Sequence, residues 1–392
     1  MIPLMKSAFL HEYETKKALA DFIFNTSKLS MDRKCFEFEN EFSKYQNVKH
    51  SILLNSGASA NLAIIQSLLN LGRLQKEDNV GFSAITWSTN VMPLIQLGLT
   101  PVPIDCDVAT LNVMSKQLKE AIKKENIKAL FITNALGFCG DLHEIKKICH
   151  ENNVILLEDN CEALGTELKG IKTGNFGLAS SFSFFVAHHM STIEGGMVCT
   201  NDNELAEMLT MVRANGWDRN LTHTQQYKLR KQQNVKSEFE AKYTFYDLAY
   251  NFRPTEITGF IGLFQLQFLN ENIIKREKNY FRLEADYNLN DDFVHINHQH
   301  ISVLSNFAYP VICKTPVLRD FYIQQFAGAG IEVRPMIAGN IQKQPFIKKY
   351  INKRYNLPNA DFLHTCSFYC GNYPELTETD LQIISSCLTK KN

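Results

Sequence analysis

Two adjacent histidines, His188 and His189, stand between an aromatic segment and a glycine pair in the stretch Ser181–Gly196, SFSFFVAHHMSTIEGG. Small or polar residues alternate with aromatic residues over Ser181–Val186, which predicts the end of a buried strand. Gly195 and Gly196 predict a tight reversal before a second strand, 197–201. Because imidazole exchanges a proton near neutral pH, a histidine at a strand end is a candidate proton carrier. The alternative is a hydrogen-bonded structural histidine.

Two carboxylates follow another strand of the predicted core. The apolar strand Val154–Leu157 runs into Glu158-Asp159-Asn160-Cys161-Glu162. An acidic residue at the carboxyl end of a strand lies where open α/β sheets bind their ligands. Asp159 alone would also suit a helix N-cap, but together with His188 further along the chain it indicates a ligand site.

A third pattern predicts an anion site. The strand Ser51–Leu54 leads into the turn 55–60, NSGASA, and a helix follows from Asn61 to Leu71. Free N–H groups and the helix dipole at such a helix start favour a phosphate, although many α/β proteins have this turn.

Alternating strands and helices predict an α/β fold with a mainly parallel sheet. The helix that starts at Thr255 is expected to run past Leu269 and to carry the chain into a second domain near residue 275. We therefore expect a large domain over residues 1–274 and a small domain over 275–392. The other predicted elements are the strands 80–85, 102–105, 128–133, 307–313 and 331–333, and the helices 36–45, 142–152, 203–215 and 317–327.

Composition narrows the class of protein. The 392 residues include 41 basic and 41 acidic side chains, and no basic stripe or long apolar run is present. Nucleic acid and membrane are therefore not expected partners. The start of the sequence does not resemble a signal peptide, and the ten cysteines are scattered, so we expect reduced thiols and a cytoplasmic protein. Cys366 and Cys370 lie four apart without a second ligand pair, so no metal site is expected.

Together these motifs resemble the DegT/DnrJ/EryC1/StrS family of sugar enzymes that use pyridoxal phosphate, over about Phe36 to Pro374. The family's Ser-Phe-x-Pro-x-Lys-Asn segment corresponds to 183–189, which places His188 where the family has the lysine that binds the cofactor covalently. Residues 250–253, Tyr-Asn-Phe-Arg, match a second family motif. The resemblance implies an aspartate-aminotransferase-like fold (fold type I), with a mainly parallel sheet in the large domain and a smaller α+β C-terminal domain.

The resemblance also implies a non-covalent site for pyridoxal or pyridoxamine 5′-phosphate. In that site Ala58 and Ser59 hold the phosphate, Trp87 stacks on the pyridine ring, and Asp159 keeps the pyridine nitrogen protonated so that the ring is an electron sink. Glu162 replaces the family's usual glutamine near the ring hydroxyl, so it is either protonated or changes the cofactor's proton balance. The expected cofactor-binding residues are Gly57, Ala58, Ser59, Trp87, Asp159, Glu162, Ser183 and Asn251.

Other residues are expected to contact the substrate or a second subunit. By resemblance Asn251 reaches the cofactor phosphate of a neighbouring subunit, which implies a homodimer with shared active sites. Residues 220–242 are interpreted as a surface excursion or a loop that covers the substrate. The expected substrate-binding residues are Trp217 and Arg219, which precede that stretch and would equally suit an exposed loop, and Arg334 and Asn340.

The exchange of lysine for histidine resembles the 3-dehydratase branch of the family. The expected reaction removes the C3 hydroxyl of a nucleotide-linked 4-keto-6-deoxysugar, foremost GDP-4-keto-6-deoxy-D-mannose, with His188 as the acid/base. L-Glutamate would donate the amino group, and 2-oxoglutarate and ammonia would be released. Such a lyase would serve deoxysugar synthesis of the colitose type, for lipopolysaccharide O-antigen.

Three other functions stay open at this point. One is a sugar-nucleotide aminotransferase with another base, and a second is an iron–sulfur-dependent dehydrase acting on CDP-4-keto-6-deoxyglucose. Cys199 and Cys313 are the only cysteines between His188 and residue 365, and no Cys-x-Cys pair occurs, so we expect neither a cluster nor a reductase partner. The third is a non-catalytic sugar-nucleotide-binding protein, against which Asp159 argues. The choice between GDP and CDP is open.

Overall fold

The computed structural model describes residues 1–390, in which twelve strands and fifteen α-helices form. The strands are β1 (His50–Leu54), β2 (Asn79–Ser83), β3 (Thr100–Ile104), β4 (Ile127–Thr133), β5 (Ile155–Asp159), β6 (Glu167–Leu168), β7 (Ile171–Lys172), β8 (Ala179–Ser183), β9 (Gly196–Thr200), β10 (Ala308–Ile312), β11 (Val333–Pro335) and β12 (Ser367–Gly371).

The helices, apart from three short 3₁₀ turns, are α1 (Glu12–Asn25), α2 (Arg33–Gln46), α3 (Gly57–Asn70), α4 (Met92–Gln96), α5 (Ser115–Lys124), α6 (Leu142–Glu151), α7 (Asn203–Val212), α8 (His223–Gln232), α9 (Glu238–Ala241), α10 (Glu256–Leu266), α11 (Leu269–Tyr287), α12 (Pro316–Gly328), α13 (Pro345–Tyr350), α14 (Pro358–Cys366) and α15 (Glu378–Leu388).

Of the nine strands between residues 50 and 200, the short strands β6 and β7 form a separate two-stranded sheet, and the other seven form one sheet in the order β1-β9-β8-β5-β4-β2-β3. Its β3-β2-β4-β5-β8 part is parallel, and β9 joins β8 and β1 antiparallel. A separate antiparallel sheet, β10-β12-β11, follows in the last third of the chain. The predicted α/β fold with a mainly parallel central sheet is therefore confirmed.

The phosphate-turn helix α3 is one of the most deeply buried elements. It packs between the strands β8 and β9 and the helix α7, so it is apolar almost all round. Each fully buried Ile or Leu contributes about 1.5–3 kcal/mol, so α3 is a rigid base for the turn before it. Its fully buried apolar side chains are Ala60, Ala63, Ile64, Ile65 and Leu68.

Several predicted boundaries were wrong. The helix predicted from Thr255 past Leu269 is two helices, α10 and α11, separated at 267–268. The excursion 220–242 is not a loop, because it carries α8 and α9, and Thr222 begins α8 with a capping box to Gln225. The helix α3 begins at Gly57 rather than Asn61, because Ser56 caps it.

The proposed division at residue 274 falls inside α11, which runs through it without a break. The hydrophobic core around the second sheet also includes Ile2, Ala84 and Ile85 from the N-terminal part of the chain. The two domains therefore stay a prediction. Within residues 1–390 no helix combines the length and apolarity needed to cross a bilayer.

Candidate active site

A cavity of about 420 Å³ opens at the carboxyl ends of β5 and β8. The walls include Thr89 and Thr133 from the large sheet side and Phe307, Ile337 and Tyr369 from the second sheet side. The cavity lining includes seven of the residues that the sequence predicted for the site, namely Gly57, Ala58, Trp87, Asp159, Glu162, Ser183 and His188.

Asp159 forms the floor of this cavity. Its Oδ2 accepts hydrogen bonds from Asn90 Nδ2 at 2.7 Å and Asn61 Nδ2 at 3.0 Å, and its Oδ1 accepts one from the Cys161 N–H at 2.9 Å. Three donors fix the orientation of a carboxylate that is only 4% exposed. Sequence reasoning missed Asn61 and Asn90, and no local pattern marks residues that meet Asp159 only in the folded chain.

The start of α3, where the sequence predicts an anion site, lies at the cavity. Ser56 Oγ accepts a hydrogen bond from the Ser59 N–H at 3.1 Å, so the Ser59 side of the turn is committed to capping. Gly57 and Ala58 line the cavity, and the first N–H groups of a helix have no intrahelical acceptor. A Cβ at Gly57 would lie 2.6 Å from Ser183 Cβ, so only glycine fits there.

The glycine pair Gly195-Gly196 has a different structural role from the predicted tight reversal. The strand β8 ends at Ser183 rather than Val186, and the connection to β9 is spread over residues 184–195 rather than a tight reversal. A Cβ at Gly196 would lie 2.2 Å from Ser56 O, and one at Gly195 would lie 2.2 Å from Thr192 Oγ1. Gly196 therefore allows β9 to approach the turn that begins α3, and Gly195 allows the connection before β9 to pack on the Thr192 side chain.

His188 and His189 have different surroundings. His188 is half-buried on the cavity wall, and its ring lies 5.2 Å from the Phe307 ring. Its buried Nδ1 has no hydrogen-bond partner among the described residues. Burial lowers the pKa of His188 to about 4, partly opposed by the Cys161 backbone and Asp159, so the imidazole is a neutral proton acceptor at physiological pH.

His189 is the structural histidine. It is 2% exposed, and its Nε2 lies 2.9 Å from Ser305 O. Burial lowers the pKa of His189 well below its ordinary value. The structural alternative therefore applies to His189, and the proton-carrier role of His188 stays a prediction.

At neutral pH the Glu162 carboxyl group is protonated, which is one of the two possibilities that the sequence left open. Burial, with a smaller contribution from Asp159, raises the pKa of Glu162 to about 8, although Oε2 accepts a hydrogen bond from the Leu136 N–H at 2.9 Å. Burial, followed by the charge of Glu162, also raises the pKa of the neighbouring Tyr369 to about 12. Both groups can therefore donate hydrogen bonds into the cavity at neutral pH.

Trp217, Arg219 and Arg253 form a stack that lies outside the lining of this chain's cavity. The Arg219 guanidinium is 3.8 Å from the centroid of the Trp217 ring, and that of Arg253 is 5.8 Å from it. Arg253 Nε donates to Oδ1 of the exposed Asn251 at 3.0 Å. Asn251 does not line the cavity of its own chain either.

Arg334 and Asn340 also lie outside the lining. Arg334 lies on β11, opposite Tyr369 in the register of the second sheet, and forms an ion pair with Glu332. Asn340 is 1% exposed; its Oδ1 accepts from the Gln342 N–H at 3.0 Å and its Nδ2 donates to Asp361 at 2.9 Å. Their contacts with a substrate stay predictions.

The cavity is acidic where its expected ligands are anionic. Asp159, Glu162 and Glu194 line it, and no lysine or arginine does so among the residues that the structure describes. A non-covalent cofactor fits this lining, because no lysine is available to bind it. Within residues 1–390 no group of three or more His, Cys, Asp or Glu side chains is placed to hold a metal ion.

The fold and the cavity define an aminotransferase-fold enzyme without the usual lysine. Residues 11–389 match the family model described as the DegT/DnrJ/EryC1/StrS aminotransferase family, and the chain belongs to this family.

A relative from Escherichia coli O55:H7, GDP-4-keto-6-deoxy-D-mannose 3-dehydratase, is 35% identical over 90% of each chain. The enzyme of the same name from Yersinia pseudotuberculosis is 33% identical over 90% of this chain and 89% of its own. A solved structure of a histidine-to-asparagine mutant of GDP-4-keto-6-deoxymannose-3-dehydratase with bound GDP-perosamine has a TM-score of 0.91 and 31% identity, and covers 99% of this chain and 100% of that one. A structure of that dehydratase with a trapped PLP-glutamate geminal diamine has a TM-score of 0.90 and 32% identity.

The residues present fit pyridoxal phosphate. The start of α3 offers N–H donors for a phosphate, and the fixed Asp159 carboxylate offers an acceptor for a pyridine N–H. Trp87, 57% exposed, offers an aromatic face at the cavity.

Proposed function

We propose that the protein is a pyridoxal-phosphate-dependent 3-dehydratase of nucleotide-linked 4-keto-6-deoxysugars, a hydro-lyase with GDP-4-keto-6-deoxy-D-mannose as its foremost substrate. The observation that carries the proposal is the neutral His188 imidazole, which shares one cavity with the Asp159 carboxylate and stands where the family has a lysine. The identities to two dehydratases of this specificity support the same sugar nucleotide.

When bound, pyridoxal phosphate would supply an electron sink, and L-glutamate would supply its amino group. Gly57 and Ala58 would hold the phosphate at the start of α3. Asp159 would accept the pyridine N–H, and Asn61 and Asn90 fix the orientation of its carboxylate. Trp87 would offer an aromatic face to the ring.

His188 moves the proton whose removal allows the C3 hydroxyl to leave as water. Its lowered pKa keeps the imidazole neutral and able to accept that proton. Glu162, protonated at neutral pH, donates a hydrogen bond toward the ring hydroxyl. Imidazole cannot form a stable Schiff base with the cofactor aldehyde, so it cannot displace an amino sugar as a lysine would. This favours release of the deoxygenated product, 2-oxoglutarate and ammonia over transamination.

We also propose that the working unit is a cytoplasmic homodimer with shared active sites and no reductase partner. The acidic lining of one chain's cavity supports shared active sites, because a phosphate and a nucleotide diphosphate require cations that this lining does not contain. Arg219 and Arg253, exposed beside Asn251, are the cations that a second subunit would bring. Arg334, which is exposed next to Tyr369, would bind the substrate from the same subunit as the cavity.

A product assay tests the proposed function. The purified protein is incubated with pyridoxal phosphate, L-glutamate and a small panel of GDP- and CDP-linked 4-keto-6-deoxysugars. Mass spectrometry should detect a GDP-linked 4-keto-3,6-dideoxysugar, with one 2-oxoglutarate and one ammonia per turnover. An aminated sugar without ammonia, or turnover that requires a reductase and NADH, would contradict the proposal.

A further inference from the structure

Arg276 on α11 is a buried guanidinium without a directly bonded carboxylate. It is 4% exposed, and burial lowers its pKa; among residues 1–390 the charge that opposes this shift is that of Glu375, which forms no direct ion pair with it. The other buried arginine in this part of the chain, Arg213, pairs with Glu39. Burying a cation without a directly bonded counter-charge is costly. Arg276 therefore requires an explanation that Arg213 does not.

The guanidinium holds two backbone segments at once. Its Nε donates to Asn272 Oδ1 at 2.6 Å, and Asn272 Nδ2 donates onward to His189 O at 2.7 Å. Its Nη1 donates to Phe307 O at 2.8 Å and also to Asn372 O. One side chain thus fixes the segment that follows His188 and the segment that carries Phe307.

These two segments meet at the His188 imidazole. The Phe307 ring packs against it at 5.2 Å and 31°, while Nδ1 has no hydrogen-bond partner among the described residues. A working histidine is usually oriented by a hydrogen bond to one ring nitrogen. Here the Cys161 backbone interacts with the His188 imidazole, and the chain positions on either side of the ring, together with the Phe307 ring, also orient it. Arg276 holds the backbone on both of these sides.

Charges from several elements face His188. Asp159 on β5 raises its pKa, and Arg276 on α11 lowers the pKa of His188 and of His189. The other titratable groups around the imidazole, on the cavity side and on the side of α11, are Cys161, Glu162, Glu194, Tyr369, His189, Tyr373 and Glu375. The guanidinium charge thus favours the neutral imidazole, in addition to its structural contacts.

We propose that Arg276 is a positioning residue for the dehydration, which acts through Asn272 and the Phe307 carbonyl to hold the His188 ring at the cavity wall in its proton-accepting form. This inference rests on the proposed role of His188 as acid/base. It adds a residue far from the family motifs to the machinery around that histidine.

The first test compares Arg276→Gln and Arg276→Lys in the full-length protein, with and without pyridoxal phosphate. Diethyl pyrocarbonate acylates an imidazole in its neutral form and not in its protonated form. The rate of acylation at His188, followed by peptide mass spectrometry as a function of pH, therefore reports the His188 titration. In Arg276→Gln the midpoint should rise by about 1 pH unit, because a nearby positive charge is lost. In Arg276→Lys the His188 midpoint should stay low, because the positive charge is kept. Turnover should fall about 10- to 100-fold, because lysine lacks the forked donors of the guanidinium.

Asn272→Asp tests the relay if the Arg276 variants fold poorly. The new carboxylate still accepts from Arg276 Nε, but it cannot donate to His189 O and it neutralises the guanidinium. The His188 midpoint should rise and turnover should fall. The matched control Arg213→Lys should lower the melting temperature and leave the His188 midpoint unchanged.

Folded Arg276→Gln or Asn272→Asp protein with wild-type turnover and a wild-type His188 midpoint would overturn the inference. So would a loss of turnover without a change in midpoint in both variants, which a purely structural role predicts. The acylation readout needs no turnover, so it stays informative even if the product assay refutes the proposed function.

Discussion

Asp159 on the cavity floor is held by its own chain, whereas Arg219 and Arg253, which stack on the half-buried Trp217, are exposed and lie outside the cavity of their own chain. Asn61 and Asn90 fix the carboxylate of Asp159 with hydrogen bonds of 3.0 and 2.7 Å. The arginines of the stack contact mainly aromatic faces. The Asp159 carboxylate is thus preorganised within one chain, whereas in our proposal the cations that recognise the anionic ligand come from a second subunit.

The largest effect is expected at the floor. Asp159→Asn keeps the shape but loses the acceptor for the pyridine N–H, so kcat should fall about 10²- to 10³-fold with little change in melting temperature. Glu158→Gln is the matched control, because the Glu158 carboxylate accepts only from the N–H groups of residues 174, 176 and 177. It should lower the melting temperature and keep kcat. The reverse pattern would place the functional carboxylate at Glu158.

Mixing two inactive variants tests whether Asn251, which is exposed on its own chain, contributes to the active site of a second subunit. His188→Asn and Asn251→Asp proteins should each be inactive, and after unfolding and refolding together they should recover about a quarter of wild-type activity. Half of the dimers would be hybrids, and each hybrid would carry one site without a lesion. No recovery in proven hybrid dimers would place Asn251 in the site of its own chain.

Arg219→Ala should have a moderate effect that is confined to binding. Loss of a cation that contacts the nucleotide diphosphate should raise KM for the sugar nucleotide about tenfold and leave kcat within about twofold. Arg33→Ala removes an equally exposed arginine, paired only with Glu37, and serves as control. Equal KM values in the two variants would remove Arg219 from the substrate site.

Glu162→Gln should have the smallest effect, and it should depend on pH. The pKa of Glu162 is about 8 in the folded chain and near 4.5 when unfolded, so the carboxyl group stabilises the fold most below pH 4.5 and progressively less up to about pH 8. Glutamine does not titrate. In cofactor-free protein the variant should therefore gain on the order of 2–5 °C in melting temperature over wild type between pH 5 and pH 8. A constant difference would show that Glu162 is ionised in the folded chain.

The same contrast explains what the sequence could predict. His188, Asp159 and the turn at Gly57–Ala58 each follow a strand in a local pattern, and the carboxyl ends of parallel strands meet, so their convergence was predictable. Asn61, Asn90 and Arg276 were missed because their polar contacts join residues far apart in the chain. Of the stack, Trp217 and Arg219 were predicted as substrate-binding residues, and Arg253 was not, because its approach to the Trp217 ring is made only in the folded chain.

The substitution His188→Lys tests the central claim most directly, that a histidine in the lysine position makes this cavity a dehydratase site. After borohydride reduction and denaturation, the variant should retain pyridoxal phosphate covalently at residue 188, and it should no longer remove the C3 hydroxyl. Wild-type protein treated in the same way, without added amine, should lose all of its cofactor. Covalently retained cofactor in the wild type, or undiminished deoxygenation by the variant, would contradict the account.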